Sequence, residues 1–89
     1  MFEWDRDNVS HLRHHQIKPA EAEELFRNYP AIKGHEVVEG EDRWTAVGAT
    51  LSLRVLVLIF TVRNDRVRVI TCWDADKRTR KNNFTQRGT

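Results

Sequence analysis

Arg63, Arg66 and Arg68 crowd around the dipeptide Asn64-Asp65, with Arg43 twenty residues upstream. A guanidinium stays charged at any working pH and its planar fork grips two oxygens of one phosphate. Clustered arginines therefore suit a site that holds a phosphodiester and stabilises charge building on it. Period-two alternation puts Arg66 and Arg68 on one face of the strand after Asn64-Asp65, and Arg63 lies across that turn. Arg43 joins them if the sheet order is sequential. The plainer reading is that arginines flanking a turn are exposed gatekeepers against edge-to-edge pairing.

Four histidines, His11, His14, His15 and His35, are the other groups able to move protons near neutral pH. On a helix His11 and His15 share a face at i, i+4, a spacing that can hold a divalent ion. Without the glutamate of an H-E-x-x-H motif, and with Cys72 as the single cysteine, neither a metal site nor any other cofactor is expected. His11 and His14 read as residues of a half-exposed helix end, and His35 as an ordinary strand or loop residue. Cys72 reads as a small buried thiol, and Trp4 and Trp44 as core anchors.

The elements that must position these residues can be read from the pattern. Phe2-Glu3-Trp4 suggests a short opening strand, and Asp5 an N-cap for a weakly amphipathic helix carrying Val9, Leu12 and a contact near Gln16. Pro19 opens a second helix whose core face is Ala22, Leu25, Phe26 and Tyr29, ended by Pro30. Strands follow at 32–38 and 43–49, joined by a polar turn over Gly40 to Asp42, with Trp44, Ala46 and Gly48 on one face. Val55 to Thr61 is continuously apolar and so reads as a central strand covered on both faces. Asn64-Asp65 makes a tight hairpin to Arg66–Trp73, in which Arg66, Arg68, Ile70 and Cys72 share a face. A basic helix starts near Asp74, and the last few residues look low in structure. The fold class is α+β: two N-terminal helices on a four-stranded, mostly antiparallel sheet with a C-terminal basic helix.

Eighty-nine residues suffice for one small domain, 1–89. No apolar run approaches the ~20 residues that cross a bilayer, and the first residues lack a signal-peptide layout, so a cytoplasmic protein without membrane contact is expected. The net charge of +2 hides a division: residues 1–42 hold five Lys/Arg against ten Asp/Glu, and residues 43–89 hold ten against three. That cationic half suits a polyanion, through release of condensed counterions, or is simply a set of solvated faces.

Phe2-Glu3-Trp4-Asp5, Leu12-Arg13-His14-His15, the Glu-Ala-Glu-Glu-Leu-Phe of the second helix and Glu41-Asp42-Arg43-Trp44 together resemble the BrnT-type toxins. Gly48, the Val55–Thr61 run, Arg63 and Arg68-Val69-Ile70-Thr71 extend the resemblance over nearly the whole chain. It implies a RelE-like fold, an endoribonuclease that blocks translation by cutting RNA, and a small DNA-binding BrnA-like antitoxin. Contact with duplex DNA would then be only indirect, through that partner. RNA cleavage needs a base for the 2′-OH, cations for the phosphorane and an acid for the leaving 5′-oxygen. Arg43, Arg63 and Arg68 stand at family arginine positions. His15 matches a histidine the family carries at the end of its first helix. Arg66, Lys77, Arg78 and Lys81 would track the RNA backbone, and Trp73 would stack on a base.

The chain also departs from the family pattern. Thr71-Cys72-Trp73 stands where the family has Ser-Ala-Arg, and Thr79 and Asn83 stand where it has a glutamate and a tyrosine. An indole cannot neutralise a phosphate or move a proton, so cleavage slower than that of intact relatives is expected, with His15 or His35 serving as base. The alternative is a catalytically weak or inactive module that keeps the antitoxin-binding fold. Direct recognition of duplex DNA lacks a helix-turn-helix signature and is disfavoured by the acidic second helix.

Overall fold

The computed structural model describes residues 1–87, with side chains to residue 84. Helix α1 spans Arg6–His14 and starts as the sequence implies. Asp5 Oδ1 accepts from the Asp7 and Asn8 amides at 3.0 and 3.1 Å, and Asn8 Oδ1 accepts from the Asp5 amide at 2.8 Å, a reciprocal capping box. Leu12 is fully buried, but the contact expected near Gln16 belongs to Ile17 instead. Gln16 takes the left-handed conformation at φ 58°, which turns the chain out of the helix and Ile17 inward.

Helix α2, Pro19–Arg27, has proline in its first turn, where the missing N–H costs nothing. Ala22 and Leu25 face the core, but Tyr29 does not. The helix has ended, Tyr29 sits at φ 52° and is 84% exposed, and the Asn28 amide Nδ2 ties the helix end to the Ala49 carbonyl at 3.0 Å.

Four strands follow: β1 Ala31–Val38, β2 Glu41–Ala49, β3 Val55–Arg63 and β4 Arg66–Asp74, antiparallel in the order β1-β2-β3-β4. The β1–β2 turn lies at Glu39-Gly40, both at positive φ, rather than over 40–42. Glu41 and Asp42 are consequently strand residues, opposite Val38 and Val37. Asn64 and Asp65, at φ 50° and 63°, make the β3–β4 hairpin anticipated from their tolerance of the left-handed region.

Strand β3 is covered on both faces. On one side Leu56, Leu58 and Phe60 join Leu12, Ile17, Ala22 and Leu25 of the helical segment, with Ala46, Val69 and Cys72. Trp4 and Trp44 pack against this cluster as half-buried anchors. Gly48 lets α2 approach, since a Cβ there would meet Leu25 and Pro30 at 3.1 Å. On the other side Val55, Val47 and Ala49 cluster with Ala75, next to Val57.

The strict alternation expected in β4 is broken. Ile59 pairs with Thr71 and Phe60 with Val69, leaving Ile70 as an extra residue. Beyond that bulge Cys72 points with Val69 into the core, opposite to Arg66 and Arg68. Burial pushes the Cys72 thiol up to about 12, so it is an inert core residue. The opening strand is reduced to one parallel bridge, Phe2 to Val67, fixed by the Glu3 amide on the Val67 carbonyl at 2.8 Å and the Val67 amide on the Met1 carbonyl at 2.7 Å.

Helix α3, Lys77–Arg87, starts three residues later than expected because Asp74 still pairs with Leu56. Asp76 caps it, Oδ1 accepting from the Thr79 amide at 2.7 Å. Of the final residues expected to be irregular, 88 and 89 lie outside the described residues, and those before them continue α3. Among the described residues no helix is long and apolar enough to cross a membrane.

Candidate functional site

Arg43, Arg63 and Arg68 come from three neighbouring strands, and register puts them on the sheet face turned away from the Phe60–Val69 core. They line one cleft of about 190 Å³ with Glu41 and Ile70, and α1, packed along β4, adds Asp7, Asn8 and His11. The cleft sits at the end of the sheet where β2 begins, β3 ends and β4 begins, so both hairpins fix its walls.

Glu41 organises two of the arginines. Arg63 donates from Nη2 and Nε to Glu41 Oε2 at 2.7 and 3.1 Å, while Arg43 Nε donates to Oε1 at 3.1 Å. Arg63 foremost, then Arg43, holds the Glu41 carboxyl below its ordinary value, so it is anionic across the working range. Arg63 remains half exposed and can meet a ligand.

Arg68 is bound more completely. Its Nη1 lies 2.7 Å from Asp5 Oδ2 and its Nη2 3.3 Å from Oδ1, with Glu3 Oε2 at 3.9 Å from Nη1. Glu3 Oε2 is buried and has no hydrogen-bond partner of its own. The Arg68 side chain is only 13% exposed. Its bond to Asp5 raises the guanidinium pKa and holds Asp5 below the usual carboxylate range. Arg68 thus links β4 to the cap of α1 and presents only a small part of its charge to the cleft.

His15 is not with these residues. It caps the C-terminal end of α1, and its carbonyl accepts from Arg54 Nη2 at 3.4 Å, in a group with Glu21 and Asp74 at the opposite end of β3. The histidine in the cleft is His11, one turn after Asp7 and Asn8. Arg54 and Glu41 also escaped the sequence reading. Glu41 was assigned to a turn, although its position two residues before Arg43 puts both on one face once β2 is extended. His35 is elsewhere again, paired with Asp42 at 2.8 Å and tilted against Trp44.

None of the remaining expected RNA-binding residues lines the cleft. Arg66 is exposed at the hairpin opposite Arg63, Lys77, Arg78 and Lys81 are exposed on α3, and Trp73 is half buried beside Val57. Among the described residues no group of three His, Cys, Asp or Glu side chains is arranged to share a metal ion. The arrangement offers an oxyanion two guanidinium groups, a third behind them and an imidazole at the rim.

The family model described as the ribonuclease toxin, BrnT, of type II toxin-antitoxin systems matches residues 4–81, a span that includes every cleft residue named above. No curated protein matches the chain.

Proposed function

Because the chain belongs to the BrnT family of ribonuclease toxins of type II toxin-antitoxin systems, we propose that the arginine cleft binds and cuts RNA and so stops translation. The observation that supports this reading is the convergence of Arg43 and Arg63 on the two oxygens of one carboxylate. Groups arranged to take two anionic oxygens can take those of a phosphodiester in the same way. In the proposed step the 2′-oxygen attacks phosphorus, its proton passes to a base, the P–O5′ bond breaks and the 5′-oxygen takes up a proton. Arg43 and Arg63 stabilise the charge on the non-bridging oxygens, and Arg68 adds a longer-range contribution. His11 is assigned the proton transfer because it is the imidazole at the cleft.

The same chemistry bears on the partner. An antitoxin segment carrying Asp or Glu would find in Arg43 and Arg63 groups already matched to carboxylate, and would neutralise the cleft while blocking it. Expression of the chain alone should arrest growth, and Arg63→Ala should relieve the arrest. Unchanged toxicity in that variant, with the protein still folded, would overturn the site assignment. A second reading, a binding module without cleavage, is favoured by Trp73, Thr79 and Asn83, none of which can act as acid or base. It predicts a stable complex with the antitoxin and no growth arrest.

A further inference from the structure

A second cavity, of about 310 Å³, lies between α3 and the sheet on the same face as the arginine cleft. Val47 and Val57 form an apolar floor, and Lys33, Thr79, Asn82 and Asn83 form polar walls. Asn83 is only 6% exposed, yet its Nδ2 has no hydrogen-bond partner. A buried amide donor left unpaired is costly, and native proteins leave few such groups without a ligand, water or functional reason.

An apolar floor beside an amide edge is the chemistry that receives a nucleobase: the flat ring packs on hydrocarbon while its edge accepts from the amide. Position favours RNA over a protein side chain. Arg43 and Val47 are on the same face of β2, four residues and so about 13 Å apart, within reach of one single strand laid along the sheet. The exposed Lys77, Arg78, Arg80 and Lys81 add positive charge on α3. We propose that this cavity is a base-reading subsite, taking one unpaired nucleobase of the RNA whose backbone lies in the arginine cleft. The proposal rests on the RNA-binding reading of that cleft and adds to it a source of sequence preference.

The test is fluorescence anisotropy with four 2′-O-methyl hexamers, of A, C, G and U, in which the blocked 2′-oxygen prevents cleavage. The wild-type chain should separate the best from the worst hexamer by at least about 5-fold, the lower end of a specific base contact. Asn83→Leu, nearly isosteric and free of the unpaired donor, should fold as well as the wild type. It should bring the four affinities together while leaving the salt dependence intact, because phosphate contacts are untouched. Equal affinities in the wild type, or a preference that survives Asn83→Leu, would overturn the subsite and leave the cleft assignment standing. Failure of all four hexamers to bind would instead remove the RNA reading, and the subsite with it.

Discussion

Arg63 and Glu41 join the end of β3 to the start of β2 through two hydrogen bonds to a single carboxylate oxygen, at 2.7 and 3.1 Å. With Arg43 on the other oxygen, the carboxylate sits where the two guanidinium groups converge. Glu41 therefore keeps the two cations in place, and on the proposed reading of the cleft it would compete with a phosphate for them.

That competition has a measurable size. Glu41→Gln should strengthen binding of uncleavable single-stranded RNA by about 3- to 10-fold, removing a carboxylate–phosphate repulsion of about 1 kcal/mol. Arg63→Ala should weaken binding and flatten the log–log salt dependence by roughly 0.7 for the lost phosphate contact. Anisotropy titrations over a range of salt concentrations check both, and weaker binding by Glu41→Gln would show that the carboxylate helps the ligand instead.

The two ends of the sheet can be told apart by their histidines. His11→Ala should reduce single-turnover RNA cleavage by about 10²- to 10⁴-fold, the usual weight of a general acid or base. His15→Ala should leave it unchanged, since that residue lies with Arg54 at the far end of β3. Equal losses in the two variants would contradict the geometry.

Arg54 should matter for stability rather than for RNA. It donates to Asp74 at 2.7 and 2.8 Å, to Glu21 at 3.1 and 3.2 Å, and to the Gln16 carbonyl at 3.1 Å, fastening four segments at one point. Arg54→Ala should cost about 1–3 kcal/mol, with partial exposure keeping it below the value of a buried pair. For a chain of this size each kcal/mol lowers Tm by about 4–8 °C. A Tm within error of the wild type would show that the fastening contributes nothing net.

Acid should unfold the protein through the same pairs. Asp5, Glu41 and Asp74 are held low by Arg68, Arg63 and Arg54 respectively, so the unfolded chain binds more protons than the folded one at acidic pH. Their stabilisation is complete above the unfolded carboxylate values of about 4 and is lost as pH falls below them through the depressed folded values. Thermal melts should show Tm flat from neutral pH to about 5 and falling steeply below about 4, with a smaller drop at high salt. A Tm that rises on acidification would reverse the sign.

Local chemistry made much of this architecture legible from the sequence. The apolar run of β3, the positive-φ pair Asn64-Asp65, the Asp5 cap and the small Gly48 each carry their reason within a few residues. What escaped depends on distant partners or on one-residue offsets. The extra residue Ile70 is marked by no glycine or proline, so strict alternation misassigned Cys72. His11 meets the arginines because it stands one turn after Asp7 and Asn8 on α1, while His15 is a further turn along at the helix end. Only the docking of α1 on β4 shows which turn reaches the cleft. Arg54 carries no local signal of its role, because Asp74, Glu21, Gln16 and His15, which it binds, are 20 to 39 residues away. The family resemblance located Arg43, Arg63 and Arg68 by position, while their carboxylate partners could be seen only in three dimensions.

The bulge at Ile70 divides β4 into two segments that are out of phase. Before it, even-numbered positions look toward the cleft; after it, they look toward the core. A single strand therefore serves two environments under separate constraints. Arg68 is set by the cleft and by the Asp5 cap of α1, whereas Cys72 is set by the core. Deleting Ile70 would merge the two phases and force a choice between a charged group in the core and a thiol at the cleft. The one residue of slack lets the even-numbered positions of the first segment face the cleft while those of the second face the core.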